Sequence, residues 1–162
     1  LKVEKSLSRV SSSNIMAKIT KAQFQVVLEP VHRTFWKQAY VKLRRKISSL
    51  KSSLKKRSEL AEVDCIITTD ELEALFYSQY GTSCKYCEKV LNVRTIACDH
   101  IVPLKKKGPS IVSNLQLICR TCNTRKGPLH EADFNLVMDW IKEQPEELGA
   151  YLLRKLAKGG RY

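Results

Sequence analysis

The sequence predicts an α+β protein: a small strand–loop–strand–helix core, flanked by helices and preceded by a basic helical arm. Three features carry this expectation. Two C-x-x-C pairs, Cys84/Cys87 and Cys119/Cys122, are separated by 31 residues. Between them, "VLNVRTIACDHIVPL" and "IVSNLQLIC" read as turn-plus-strand and strand. Ahead of them, residues 34–57 carry a helical apolar stripe set among lysines and arginines.

The chain opens on "LKVEKSLSRVSSSNIM", residues 1–16, which is Ser-rich and basic and reads as a disordered leader, with Met16 as an alternative start. From Thr34 to about Arg57, Trp36, Tyr40, Leu43, Ile47, Leu50 and Leu54 recur at spacings of 4, 3, 4, 3 and 4, a stripe of heptad period. Lys37, Lys42, Arg44, Arg45, Lys46, Lys51, Lys55, Lys56 and Arg57 surround it. A parallel homodimeric coiled coil would bring these positive flanks together without an acidic partner. The stripe is therefore expected to pack on the rest of the protein, or in an antiparallel pairing, and to leave the basic face free.

A linker is expected near residues 58–67. Thr68-x-x-Glu71 then forms a capping box ahead of a helix bearing Leu72, Leu75 and Phe76, which Gly81 ends. After the first strand, "KKKGPS" reads as an exposed basic loop, and after the second "CRTCNTRKG" opens a short helix stopped by Gly127-Pro128. Two more helical faces follow, one of Phe134, Val137, Met138 and Ile141, the other of Leu148, Leu152 and Leu156, with Pro145 between them.

The net charge of +13 is unevenly placed. Residues 1–60 hold fifteen Lys or Arg against three Glu, a net +12, whereas residues 61–162 hold fourteen against thirteen, a net +1. Charge so concentrated is the footprint of a polyanion, and nucleic acid is the first candidate. An anionic membrane surface is the second, disfavoured because the basic helix keeps no apolar face for lipid once its stripe is packed. No apolar run reaches about 18 residues, so no spanning helix is expected. At 162 residues the chain suits one domain with a real core.

Each C-x-x-C pair offers two thiolates from one tight turn, and two such pairs read as a tetrahedral zinc site. Cys65 and Cys98 are left over and read as small buried apolar residues. His32 and His130 belong to no constellation. The gap between the pairs exceeds that of a usual zinc ribbon, so something is inserted, and the insert contains "CDHIVPL", an acid and an imidazole side by side. On its own that heptapeptide reads first as a hydrogen-bonded structural pair, and its surroundings must decide.

The stretch from Cys84 to Lys126, about 45 residues, resembles the HNH, or ββα-metal (His-Me finger), nucleases, and within them the four-cysteine phage type related to endonuclease VII. The matching features are Cys84/Cys87, then Asp99-His100, then Asn114 before the second strand, then Cys119/Cys122 with Asn123 directly after. The resemblance implies a zinc-pinned ββα-metal core with flanking helices. Together with the charge asymmetry and the linker near 58–67, it divides the chain into a basic DNA-binding arm at 17–61 and a nuclease domain at 62–162.

It also implies roles. His100 is the general base, since its ordinary pKa lets it take a proton from water near neutral pH. Asp99 is an anionic metal ligand, Asn123 supplies the second ligand through its amide oxygen, and Asn114 ties the loop to the strand and so orients the base. Asn123 stands where many HNH sites carry a last His, leaving an all-oxygen ligand set that suits Mg²⁺ or Mn²⁺. Neighbours on a regular strand point to opposite faces, so Asp99 and His100 need a strand end or bulge, which Pro103 favours. Lys105, Lys106, Lys107, Arg120, Arg125 and Lys126 flank the centre as phosphate contacts.

The expected activity is metal-dependent hydrolysis of duplex DNA inside the cell, in the host cytoplasm for a phage enzyme. A freestanding homing endonuclease of a phage or mobile element comes first. A branched-DNA resolvase comes second, because the region after Ile141 is short for a junction-binding dimer domain. A silent zinc module that only binds DNA is the rival, and it has no need of the set Asp99, His100, Asn114 and Asn123. One centre per chain nicks as a monomer and breaks both strands only as a homodimer.

Overall fold

The structure, a computed structural model, describes residues 18–158. The leader expected at 1–16 lies outside them. The described chain begins with a helix not anticipated from the sequence, α1 (Lys21–His32). Thr20 and Gln23 cap it reciprocally: the Thr20 amide donates to Gln23 Oε1 at 2.8 Å and the Gln23 amide to Thr20 Oγ1 at 3.3 Å. Phe24 and Leu28, one turn apart, are buried. Pro30 reads as a breaker in the sequence, yet it sits in the last turn, and the helix stops at Arg33 with φ 28°.

A 3₁₀ turn, Arg33–Phe35, leads into α2 (Trp36–Ala61), 26 residues long. Leu43, Ile47 and Leu54 of the stripe are buried, and Trp36, Tyr40 and Leu50 pack against the same core. The stripe is therefore covered by the protein itself, chiefly by α1 and the next helix. Instead of a bare linker, residues 58–67 hold the end of α2 and β1 (Cys65–Ile66), which pairs in parallel with β3 (Ser110–Ile111). Two-residue strands have no periodicity to read.

The Thr68 capping box opens α3 (Thr69–Gln79): the Glu71 amide donates to Thr68 Oγ1 at 3.1 Å and the Thr68 amide to Glu71 Oε2 at 2.7 Å. Leu72 and Phe76 are its buried contacts. Then β2 (Ile96–His100) and β4 (Leu115–Cys119) form an antiparallel ribbon in which Ile96 faces Cys119 and His100 faces Leu115. The helix α4 (Arg120–Lys126) follows β4 without a break, completing the expected strand–strand–helix unit. Next come α5 (Glu131–Lys142), with Phe134, Met138 and Ile141 buried, and α6 (Glu146–Leu156). The second face is only partly covered: Leu152 and Leu156 are half-buried and Leu148 is exposed.

One apolar cluster unites Phe24 and Leu28 of α1, the α2 stripe, Leu72 and Phe76 of α3, Ile96, Leu117 and Ile118 of the ribbon, and the cysteines. The basic helix thus shares its core with the ribbon.

The loop joining β2 to β3 is folded onto Asn114. Its Oδ1 accepts from the Val102 amide at 2.9 Å, and its Nδ2 donates to the carbonyls of Val102 at 3.1 Å and Pro109 at 2.8 Å. The chain closes so tightly that a Cβ on Gly108 would sit 1.8 Å from the Val102 carbonyl oxygen. Gly108→Ala should force the loop open and cost about 1–3 kcal/mol, the usual penalty of overpacking. Urea unfolding checks this, and an unchanged midpoint would contradict it.

Candidate active site and metal centre

The first cysteine pair lies in the turn after α3. The Cys84 amide donates to the Lys89 carbonyl at 2.8 Å and the Glu88 amide to the Cys84 carbonyl at 2.9 Å, with Glu88 in a left-handed conformation at φ 59°. The second pair straddles the end of β4 and the first turn of α4. Backbone amides reach the sulfurs: Cys119 N–H donates to Cys84 Sγ and Cys122 N–H to Cys119 Sγ, each at 3.4 Å. All four Sγ atoms lie within 4.8 Å of one another, and none is in a disulfide. Four thiols so gathered can hold a metal ion, and an all-sulfur tetrahedral set suits zinc and leaves no position for a substrate. Cys65 and Cys98 stand apart and are half-buried against the core. Burial pushes the Cys98 thiol up to about 12, which keeps it protonated and inert.

Asp99, His100 and Asn123 line one surface cleft of about 320 Å³, together with Arg57, Pro103 and Lys105. The side-by-side acid and imidazole reach it because β2 ends at His100 and the chain bends through Ile101 and Val102 to Pro103.

Asp99 is held by α4 and β4. Its Oδ2 accepts from Gln116 Nε2, on its cross-strand partner, at 3.0 Å and pairs with Lys126 Nζ at 2.9 Å. Lys126, expected among the phosphate contacts, is instead 1% exposed and also donates to the His100 carbonyl at 2.8 Å. Its buried charge is offset by these two bonds. Gln116 in turn accepts from Lys85 Nζ at 3.0 Å, and Lys85 pairs with Glu131 of α5.

His100 is held by β3. Its Nε2 meets Ser110 Oγ at 2.8 Å, and Ser110 Oγ meets Ser58 Oγ of α2 at 2.7 Å. Burial first, then the positive charge of Arg57, lowers the His100 pKa to about 4, against the opposing pull of Asp99. The imidazole is therefore neutral near pH 7, the form that can accept a proton. Asn123 follows Cys122 on the first turn of α4 and is half-buried, so the thiol site and the candidate amide ligand share one turn.

The basic residues divide into two groups. Lys37, Lys42, Arg45, Lys55, Lys56, Lys105 and Arg120 are exposed and, among the described residues, carry no ion pair. Lys106 and Lys107 are exposed and pair loosely with Asp133 at 3.5 Å and Glu62 at 3.4 Å. Others are engaged within the fold. Arg44 pairs with buried Glu73 and Lys46 donates to the Ile96 carbonyl. Lys51 donates to Thr69 Oγ1 at 2.9 Å and Arg125 to the Leu153 carbonyl at 3.1 Å. His32 bonds to the Tyr80 hydroxyl at 2.6 Å, within the fold.

Three residues at the site were not singled out in the sequence, Gln116, Ser110 and Ser58, and a fourth, Arg57, was read only as one of the basic residues around the α2 stripe. The last two had a signal. The stripe of α2 continues toward positions 57 and 58, where an arginine and a serine stand in place of apolar residues.

An antiparallel ribbon running straight into a helix, with an acid–imidazole pair ending its first strand and a four-thiol site pinning its second, is the ββα-metal arrangement. Residues 84–129 match the model of the HNH endonuclease family, so a nuclease domain occupies that segment. Comparison with curated proteins finds no match. Among the described residues, no helix is long and apolar enough to cross a membrane.

Proposed function

We propose that the protein is a metal-dependent endonuclease that hydrolyses phosphodiester bonds in duplex DNA. The observation that carries this reading is the convergence of Asp99, His100 and Asn123 on one cleft, next to a four-thiol site. A binding module with only structural metal has no use for a neutral, buried imidazole beside a carboxylate at a surface cleft.

The four cysteines would hold zinc, which closes the fold. Asp99 and the Asn123 amide oxygen would hold Mg²⁺ or Mn²⁺, whose Lewis acidity weakens the phosphorus–oxygen bond when the ion is bound. With Oδ2 of Asp99 engaged by Gln116 and Lys126, Oδ1 is the oxygen left for that ion. The imidazole of His100 takes the proton of a water molecule as its oxygen attacks phosphorus. The bond to the 3′-oxygen then breaks. Ser110 keeps the ring from turning, and Asn114 closes the loop that leads from His100.

Residues 17–61 act as the DNA-binding arm of a nuclease domain at 62–162. The exposed Lys37, Lys42, Arg45, Lys55 and Lys56 lie along α2, about 39 Å long at 1.5 Å per residue, with Lys105 on the cleft, Lys106 and Lys107 beside it in sequence, and Arg120 at the opposite end of the ribbon. A basic face of that length suits a continuous duplex and supports a homing-type enzyme of a phage or mobile element over a junction resolvase. Such an enzyme works inside the cell; a monomer nicks and a homodimer cuts both strands.

With supercoiled plasmid and Mg²⁺, His100→Ala should lose about 10²–10⁴-fold in cleavage rate, the typical contribution of a general base. Its affinity for duplex DNA should remain that of wild type. Undiminished cleavage would return His100 to a structural role, and faster cutting of a four-way junction than of linear duplex would favour the resolvase.

Reversing the charge of Lys42, Arg45 and Lys56, all exposed and off the apolar stripe, should weaken duplex binding. The dependence of log affinity on log salt should flatten by about 0.9 for each phosphate that the variant no longer neutralises. An unchanged slope would mean that α2 does not bind DNA.

A further inference from the structure

The last turn of α2 is locked to the cleft from inside. Ser58 and Ser110 are each 0% exposed, and their hydroxyls link α2 to His100 through contacts of 2.7 and 2.8 Å. Sliding α2 by one residue would break the Ser58–Ser110 contact and leave the Ser58 hydroxyl without a partner in the interior, at about 1–3 kcal/mol. The register of α2 against the ribbon is thus set at Ser58. That also sets the place of Arg57.

Arg57 is exposed and stands on the cleft wall with Asp99, His100 and Asn123. Its Nε donates to the Ser53 carbonyl at 3.3 Å, a long bond within the helix, and no carboxylate pairs with it among the described residues. It is not there to neutralise Asp99, which Lys126 already does at 2.9 Å. Lys126 cannot meet a substrate, because it is buried. Among the described residues, neither terminal nitrogen of this guanidinium has a partner, and it stands in the cleft beside the candidate base and ligands. A planar, permanently charged fork of donors matches two oxygens of one phosphodiester.

We propose that Arg57 is a catalytic residue: its guanidinium grips the non-bridging oxygens of the scissile phosphate and stabilises the charge that gathers on them during attack. This rests on the nuclease reading given above. Arg57 exchanges no proton. Water forms the new bond to phosphorus, His100 takes the water's proton, and the departing 3′-oxygen is protonated from solvent. On this account α2 delivers a charge to the reaction itself as well as a face to the duplex.

The test is single-turnover cleavage of a short duplex in Mg²⁺ by the full chain at saturating concentration, with duplex affinity measured separately in Ca²⁺. Wild type, His100→Ala, Arg57→Ala and Arg57→Lys are compared, with thermal melts to verify folding. Arg57→Ala should cleave about 100-fold more slowly at saturation, the scale of losing one preorganised donor to transition-state charge. Its affinity should fall no more than about threefold, the scale of one exposed ion pair. Arg57→Lys, which keeps charge and loses the fork, should recover part of the rate and decides the matter if the alanine variant melts early. Arg57→Ala at the wild-type rate, or slowed only through affinity, overturns the proposal; if His100→Ala is inactive in the same assay, the nuclease reading survives. A wild-type protein that cleaves nothing overturns both.

Discussion

Four sulfurs that must lie within one small sphere set the geometry of everything around them. Cys84 and Cys87 come from the turn before the ribbon, and Cys119 and Cys122 from its far end, so their meeting closes a 31-residue excursion. That excursion contains β2, the loop held by Asn114, and β4. Closing it costs loop entropy on folding, a cost that a bound metal would offset by coupling its binding energy directly to folding. The closure also fixes the start of α4, because Cys119 and Cys122 flank its first turn and Asn123 follows at once.

Within that frame the site is built from charge balance. Lys126 is too buried to serve substrate, and it ties the end of α4 to the end of β2 through Asp99 and the His100 carbonyl. Breaking such a pair by removing one partner is costly, because an uncompensated charge remains inside. Asp99 thus serves the fold through Oδ2, and in the proposed reaction Oδ1 would serve the metal ion. His100 is held through Nε2, which faces Ser110, and in the proposed reaction Nδ1 would be the nitrogen that takes the proton of water. The chain Glu131, Lys85, Gln116, Asp99 links α5 to the cleft and explains why a C-terminal helix bears on a site made elsewhere.

How much was legible in the sequence follows the range of each interaction. The Thr68 capping box, the α2 stripe, the two cysteine turns and the short helix after Cys119 are set by residues a few positions apart, and each appears where the pattern placed it. The α1 helix had a local signal too, Thr20-x-x-Gln23 with Phe24 and Leu28, which Pro30 masked. The pairing of β1 with β3 was not legible, since two residues on each side carry no period and their partners lie 45 positions apart. Exposure of single basic residues was equally hidden. Arg44, Lys46 and Lys126 look like their neighbours in sequence, and only packing shows that they face Glu73, a carbonyl and Asp99.

If the thiol closure holds the ribbon in register, removing the metal should release it. Amide hydrogen exchange at Ile96–His100 and Leu115–Cys119, compared before and after zinc is stripped with a chelator, tests this most directly. The account predicts about one zinc per chain in the purified protein, and loss of most protection in both strands when it is removed. Strands that stay protected in zinc-free protein would show that the apolar core alone sets the ribbon, and that the four cysteines do not hold the site together.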